Sequence, residues 1–470
     1  MFDVITSLAD PFFTARADRF ESLRSELQGE LLTAGHPTYD EARRTVSIKV
    51  NRFPLAIVRA ANVHDVAAAV EFARSHELPL AVRSGGHSVA QLSVIDDALV
   101  IDLSQMKRIE IDPATRMARV EPGATSGDLA GPAHAHGLAL TTGDTHSVGI
   151  GGLTTGGGIG FLVRKYGLTI DHLLSAQVVT ADGEILTASA TEHPDLFWAI
   201  RGGGGNMGVV TEFTYRLAPV SHILGGLLVL PATREVLRGY LDYSIVAPDE
   251  LTTLTDVMVA PELPFIPAEW VGKPVLMVLV AWSGGPDDGE RALAPLRALD
   301  APIADLVSWM PYPAIYEFTA HLAEPHGASI RMMFADELSD DALDAMIAAA
   351  EAGPSPFNLI HLRGLGGAFS RIPDDATAFA HRDRRYFVAV IAVWHDADEE
   401  PTVHEAWTTT TWDTLRTEGS GVYVNFLEKE GPDRVHEAYP GRTFDRLAAI
   451  KREYDPENLF RFNQNVPPVR

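Results

Sequence analysis

His87 ends the stretch Arg83-Ser84-Gly85-Gly86-His87 and is followed by Ser88, directly after the apolar run Leu80-Ala81-Val82. An imidazole is a base, a nucleophile or a metal ligand. The two glycines before it clear the backbone for close approach to a partner. Gly86-His87-Ser88-Val89-Ala90 falls one residue short of the strained elbow that exposes a nucleophilic serine, because Ala90 stands where a glycine is required. The residues after it also read as loop and strand rather than helix, so Ser88 is not assigned as a hydrolase nucleophile. His134-x-His136 offers ligand atoms but has no acidic third ligand nearby. It reads as the end of a helix, and no metal site is assigned. Gly203, Gly205 and Gly208 spell G-x-G-x-x-G, but a helix precedes them and a strand follows, the reverse of what a dinucleotide fingerprint requires. Their peptide N–H groups still suit a nest for a pyrophosphate.

The elements that must carry these residues are legible in outline. "PLAIVRA" reads as a strand. Asn62 caps a helix with apolar residues Val63, Val66, Ala67, Val70 and Ala73 at helical spacing, and "LPLAVR" returns as a strand. This strand–helix–strand unit delivers the His87 loop. Between Gly143 and Gly160 the glycine density predicts loop backbone laid against a partner, with no helix or strand. "SAQVVTADGEIL" predicts a hairpin turning at Asp182-Gly183. After about residue 216 the texture changes to long apolar strands such as "KPVLMVLVAW", "FNLIHLRGL" and "YFVAVIAVW", alternating with helices such as "DDALDAMIAAAEAG". That pattern predicts an antiparallel sheet covered by helices on one face, within an α+β chain.

Composition removes several classes of function. The chain of 470 residues carries 38 Lys+Arg against 63 Asp+Glu, a net charge of −25, which disfavours nucleic acid and anionic membrane as partners. It has no cysteine, so disulfides, thiolate metal sites and cysteine nucleophiles are excluded. The start "MFDVITSLADPFF" lacks a basic region followed by a long apolar run, and no uncharged stretch suffices to span a bilayer. A cytoplasmic location is expected.

Four stretches together carry a resemblance. "AVRSGGHS", "VGIGGLTTGGGIGFLVRKYGLTIDHLLSAQVVTADGEIL", "HPDLFWAIRGGGGNMGVVTEFTYRL" and "YVNF…YDPENLFRFNQNVPP" resemble, in order and spacing, the berberine-bridge-enzyme-like flavoproteins of the vanillyl-alcohol-oxidase superfamily. The resemblance covers nearly the whole chain. It implies a PCMH-type FAD-binding domain from residues 1–215, completed by a C-terminal segment 415–470, with a substrate-binding domain 216–414 inserted between them. It implies FAD, bonded covalently to His87. Arg83, Ser84, Gly85, Gly86, Ser88, Thr145, His146, Gly149, Gly151, Gly152, Gly158, Val209, Tyr423 and Asn465 match the positions that hold the cofactor.

The chain departs from the family pattern twice. Thr145 stands where many relatives carry a second, cysteinyl flavin bond, so a single link through His87 is expected. Tyr423-Val424-Asn425-Phe426 has phenylalanine where many plant relatives carry the tyrosine base. Alternation along "FNLIHLRGL" places His361 and Arg363 on one face of a strand. The resemblance implies that the substrate-side acid or base lies on a strand of this kind, which makes His361 a candidate base, with Tyr423 the second. Val148 matches the position at which relatives with valine tend to be oxidases. The expectation is an FAD-dependent oxidase that takes hydride from the CH–OH or CH–NH group of a small-molecule substrate (an alcohol of secondary metabolism or a carbohydrate first, a cyclic amine also in view) and passes electrons to O2 to give H2O2. A flavin-dependent oxygenase of a polyketide-like substrate, and an FAD-binding protein that has lost its activity, are the alternatives.

Overall fold

A computed structural model describes residues 19–396 and 398–469. The opening residues read above for a leader lie outside that range. Three sheets organise the described chain. In the first, Glu30–Leu32, Ala56–Arg59, Leu99–Asp102 and Leu80–Arg83 lie in that order, the last three parallel. The expected strand–helix–strand unit is present, but Leu99–Asp102 inserts between its two strands and pairs with both. The helix Val63–Ser75 starts where the sequence indicates, with Asn62 Oδ1 accepting from His64 N at 2.8 Å and Asp65 N at 3.2 Å.

The second sheet is antiparallel and ordered Ile109–Asp112, Met117–Val120, Val209–Arg216, Leu173–Val179, Ile185–Ser189. The hairpin between its last two strands turns at Gly183, whose φ of 85° requires glycine. The third sheet has eight strands, all drawn from residues 222–394 and all antiparallel. Helices Arg234–Val246, Pro286–Arg297, Asp340–Glu351 and Pro401–Leu415 bury their apolar stripes against one face of it. Ile360 and Leu362 point into that helix-covered core. Strand alternation therefore turns His361 and Arg363 to the opposite face.

The tail returns to the first half of the chain. Val435, Leu447, Ile450 and Val466 share a core with Leu196, Trp198 and Phe213. The buried Lys451 ammonium ties this seam, donating to Asp455 Oδ2 at 2.6 Å, to Asn206 O at 2.7 Å and to Phe460 O at 2.8 Å. A buried lysine is tolerated because every donor is occupied.

One expectation fails. The glycine-dense segment is not all loop, because Ile150–Gly156 forms a short α-helix. Its glycines remove bulk where neighbours press in. A Cβ on Gly156 would lie 2.1 Å from Asn425 Oδ1, and one on Gly151 3.0 Å from Pro122 Cβ. Packing against those neighbours outweighs the low helix propensity of glycine.

Candidate active site

Two backbone segments cross at Gly85 and Gly149. A Cβ on Gly85 would sit 2.4 Å from Gly149 N, and a Cβ on Gly149 2.4 Å from Gly85 N, so neither position admits a side chain. Two residues beyond the crossing on each segment, His87 Nε2 and Ser147 Oγ meet at 2.9 Å. Burial, with the neighbouring His326 and His146, pushes the His87 imidazole down to about 4, so it is neutral at pH 7. Ser84 Oγ donates to Pro122 O at 2.6 Å, and Arg83 Nη1 donates to Ala42 O. Val148 is partly buried against the core beside the crossing.

The same segment reaches the eight-stranded sheet at its other end. Asp144 accepts from Arg363 Nη2. Arg363 Nε donates to His361 Nε2 at 2.6 Å, and His361 Nδ1 donates to Asp256 Oδ1 at 2.6 Å. The result is one hydrogen-bonded line, Asp256–His361–Arg363–Asp144, running from the third sheet to the glycine-rich segment. Burial opposes charge on Asp144, but Arg363 and His361 outweigh it and hold its carboxyl below the ordinary value. Arg363 also lies over the Phe387 ring at 5.2 Å.

Tyr423 stands beside this line. Its buried Oη accepts from Gly158 N at 2.9 Å and from Asn425 Nδ2 at 2.9 Å. Burial pushes the phenol up to about 12. Phe426 stacks on Tyr423 at 5.8 Å and meets Phe387 edge-on at 5.0 Å, which makes this side of the site aromatic.

The structure thus brings His87, Arg83, Ser84, Gly85, Gly86, Thr145, His146, Val148, Gly149, Gly151 and Gly152 to the crossing, and His361, Arg363, Gly158 and Tyr423 to the charged line. Ser88 faces solvent. Val209 lies in an apolar core with Leu459 and Phe460, and Asn465 sits on the returning tail. Four further residues belong to the site: Asp144, Ser147, Asp256 and Asn425. Ser147 and Asp144 lie inside "GDTHSVG" and Asn425 inside "YVNF", so their stretches were visible but their partners were not. Asp256 meets His361 across 105 residues of sequence, and no local pattern marks it.

The site fits FAD on its own chemistry. Among the described residues, none of the peptide N–H groups from Ser84 to Ser88 donates to a protein acceptor. Such a run of free donors suits a polyanion or a ring carbonyl. Arg83 Nε, Thr45 Oγ1 and Asn465 Oδ1 are buried without a protein partner. Gly152 has nothing within 4 Å of where its Cβ would lie, which leaves backbone open to a ligand. Among the described residues no cluster of His, Cys, Asp and Glu suits a metal ion, and no helix is long and apolar enough to cross a membrane.

An α+β fold with a glycine-rich cradle of free peptide donors suits a flavin-dependent oxidoreductase. Residues 54–189 match the FAD binding domain family, and residues 422–467 match the family described as berberine and berberine like. An uncharacterised FAD-linked oxidoreductase of Bacillus subtilis is 32% identical over 460 residues, covering 95% of this chain and 98% of that protein. (R)-6-hydroxynicotine oxidase of Paenarthrobacter nicotinovorans is 32% identical over 456 residues, covering 94% and 97%. The crystal structure of 6-hydroxy-D-nicotine oxidase from Arthrobacter nicotinovorans superposes with a TM-score of 0.85 at 29% identity, covering 94% of this chain and 98% of that one. The chain belongs to the berberine-bridge-enzyme-like family of FAD-linked oxidoreductases.

Proposed function

We propose that this protein is an FAD-dependent oxidase, with the cofactor attached once, through His87, and with O2 as the electron acceptor. The observation that carries this reading is the single segment Asp144–Gly149, which contacts His87 at one end and the Arg363 line at the other. Bound there, FAD supplies a two-electron acceptor for hydride from a substrate carbon. Residues 1–215 and 415–470 hold the cofactor in this reading, and 216–414 shape the substrate pocket. Arg83, the Ser84–Ser88 amides, Gly152 and Asn465 hold the cofactor's polar groups. Val148, a small side chain, leaves room for O2 beside it.

The remaining side chains act on the substrate. Arg363 is fixed by Asp144 and His361, and donates from its remaining N–H groups to a substrate oxygen or π-face. Phe387, Phe426 and Tyr423 pack against apolar parts of the substrate. The substrate expected from this set is a secondary-metabolite alcohol or a carbohydrate.

A second reading of the donor rests on one observation. His361 has both ring nitrogens engaged, and Tyr423 Oη already accepts two hydrogen bonds. In this arrangement neither candidate base has a free lone pair. An alcohol donor needs His361 to release Arg363 before it takes the hydroxyl proton. A neutral amine gives up hydride with its own nitrogen lone pair and needs no protein base. The amine reading accords with the hydroxynicotine oxidase among the relatives.

Anaerobic mixing with panels of alcohols, sugars and cyclic amines tests both readings through loss of flavin colour. Bleaching followed by stoichiometric H2O2 on aeration supports an oxidase. Label from 18O2 in the product would establish an oxygenase instead. No bleaching by any member of the panels would favour an FAD-binding protein without turnover.

A further inference from the structure

The hydrogen bond between Ser147 and His87 has a chemical consequence of its own. Nothing about it depends on which substrate the enzyme takes. Ser147 is held firmly from behind: Gly127 N donates to His146 O at 2.8 Å, and Ser126 N donates to Val148 O at 3.0 Å. In front, the Gly85–Gly149 contact fixes how far the two segments stand apart, since a Cβ on Gly85 would also approach Ser147 O to 3.3 Å. The Ser147 hydroxyl is therefore delivered to His87 Nε2 by backbone geometry on both sides, at 2.9 Å. Nδ1 of His87 has no protein partner among the described residues.

We propose that Ser147 is the positioning residue for flavin attachment: its hydroxyl engages Nε2 and fixes the ring so that Nδ1 is the nitrogen turned to the flavin. The proposal rests on the reading that FAD is bonded to His87. Neutral imidazole carries one N–H and one lone pair; in the reactive tautomer the proton is on Nε2, where the Ser147 hydroxyl accepts it, and the lone pair is on Nδ1. Attachment forms a bond from Nδ1 to the 8α carbon of the flavin. That carbon loses one proton, the imidazole loses its Nε2 proton, and the flavin ring takes up the electron pair. Dioxygen then accepts the two electrons and two protons as H2O2, which restores the oxidised flavin. After attachment Nε2 is an acceptor, and the same hydroxyl turns to donate to it. A hydroxyl serves both states because it is donor and acceptor at once. An alanine serves neither.

The test uses the full-length protein from riboflavin-limited growth, mixed with FAD, with acid-insoluble flavin colour followed over time. Loss of one neutral hydrogen bond predicts attachment slowed about two- to tenfold in Ser147→Ala. Ser147→Thr, which keeps the hydroxyl, is expected within about twofold of wild type on the same ground. The histidyl flavin released by proteolysis of wild type is expected to be the Nδ1 isomer by NMR. Equal rates in wild type and Ser147→Ala overturn this proposal and leave the His87 linkage standing. A colourless wild-type pellet overturns the linkage and the proposal together. Should Ser147→Ala fail to bind FAD at all, the isomer decides alone, and an Nε2-linked flavin overturns the proposal.

Discussion

The His87 crossing and the Arg363 line are joined by six residues of chain, yet they are built on opposite principles. At the crossing, backbone meets backbone, and side chains are excluded at Gly85 and Gly149. Along the Asp256–His361–Arg363–Asp144 line, long side chains meet across more than a hundred residues of sequence, and every charge has a named partner. The first arrangement tolerates no added atom. The second tolerates no lost one. A cradle for a large flat cofactor needs the former, because main-chain donors must reach the ligand without bulk in the way. A buried line of polar side chains needs the latter, because a buried charge without its partner is costly.

The largest expected effect breaks the second region. Arg363→Met leaves the Asp144 carboxylate without its partner and should cost about 3 kcal/mol, the low end for a broken buried pair, since Asp144 keeps some contact with solvent. A urea-unfolding midpoint equal to wild type would contradict it. Two histidines are pushed down to about 4 by burial: His87 at the crossing, and His381, which packs against Phe334 and Phe379 and whose Nε2 meets Glu437 O at 2.9 Å. Above the ordinary pKa of 6.5 both states of the protein hold these rings neutral. As pH falls from there toward 4, the unfolded chain takes up protons that the folded one refuses, so stability is lost over that window. His381, 4% exposed, should account for up to about 3 kcal/mol of it, and His381→Gln should flatten thermal stability against pH more than His87→Gln does.

Smaller effects separate the two principles. Gly149→Ala forces a methyl onto the Gly85 backbone and onto Ser84 Oγ, and overpacking of that kind costs about 1–3 kcal/mol. It should also lower the acid-insoluble flavin fraction, because the crossing sets the Ser147–His87 distance. Tyr423→Phe leaves the buried Gly158 N–H without its acceptor, at a cost of about 1–2 kcal/mol, and should shift the unfolding midpoint less than Arg363→Met. An unfolding midpoint unchanged from wild type would show that the amide finds another partner.

The same contrast explains what the sequence disclosed. The α+β class, the hairpin at Gly183, the Asn62 cap and the sheet after residue 216 followed from local periodicity and capping. The Gly85 loop was visible because glycine clustering is a local signal. Its partner was read as a ligand, and the structure adds that Gly149 packs directly against Gly85. The helix Ile150–Gly156 was missed because glycine's intrinsic cost argues against helix, and only the approach of Asn425 and Ser84 reverses that. Alternation placed His361 and Arg363 together, but Asp256 and Asp144 come from other strands and segments. Three-dimensional pairing, rather than spacing, made them partners, and it also engages both nitrogens of His361.

The smallest expected effect sharpens the contrast within a single helix. Gly152 is exposed, lies in the same short helix as Gly151, and has open space where its Cβ would stand. If its glycine served packing alone, as at Gly149, alanine there would be destabilising. Here nothing opposes the methyl group, and alanine is the better helix former, so Gly152→Ala should stabilise the flavin-free protein by about 0.5–1 kcal/mol. If that open backbone is the face the cofactor lies on, the same methyl group stands in the cofactor's way. The expected result is therefore a split: a raised unfolding midpoint without flavin, and a lowered FAD content in protein grown with ample riboflavin. A rise in stability with full FAD content would place the cofactor elsewhere along the cradle, against the Ser84–Ser88 amides alone. A fall in stability without flavin would mean that the space beside Gly152 is filled by protein.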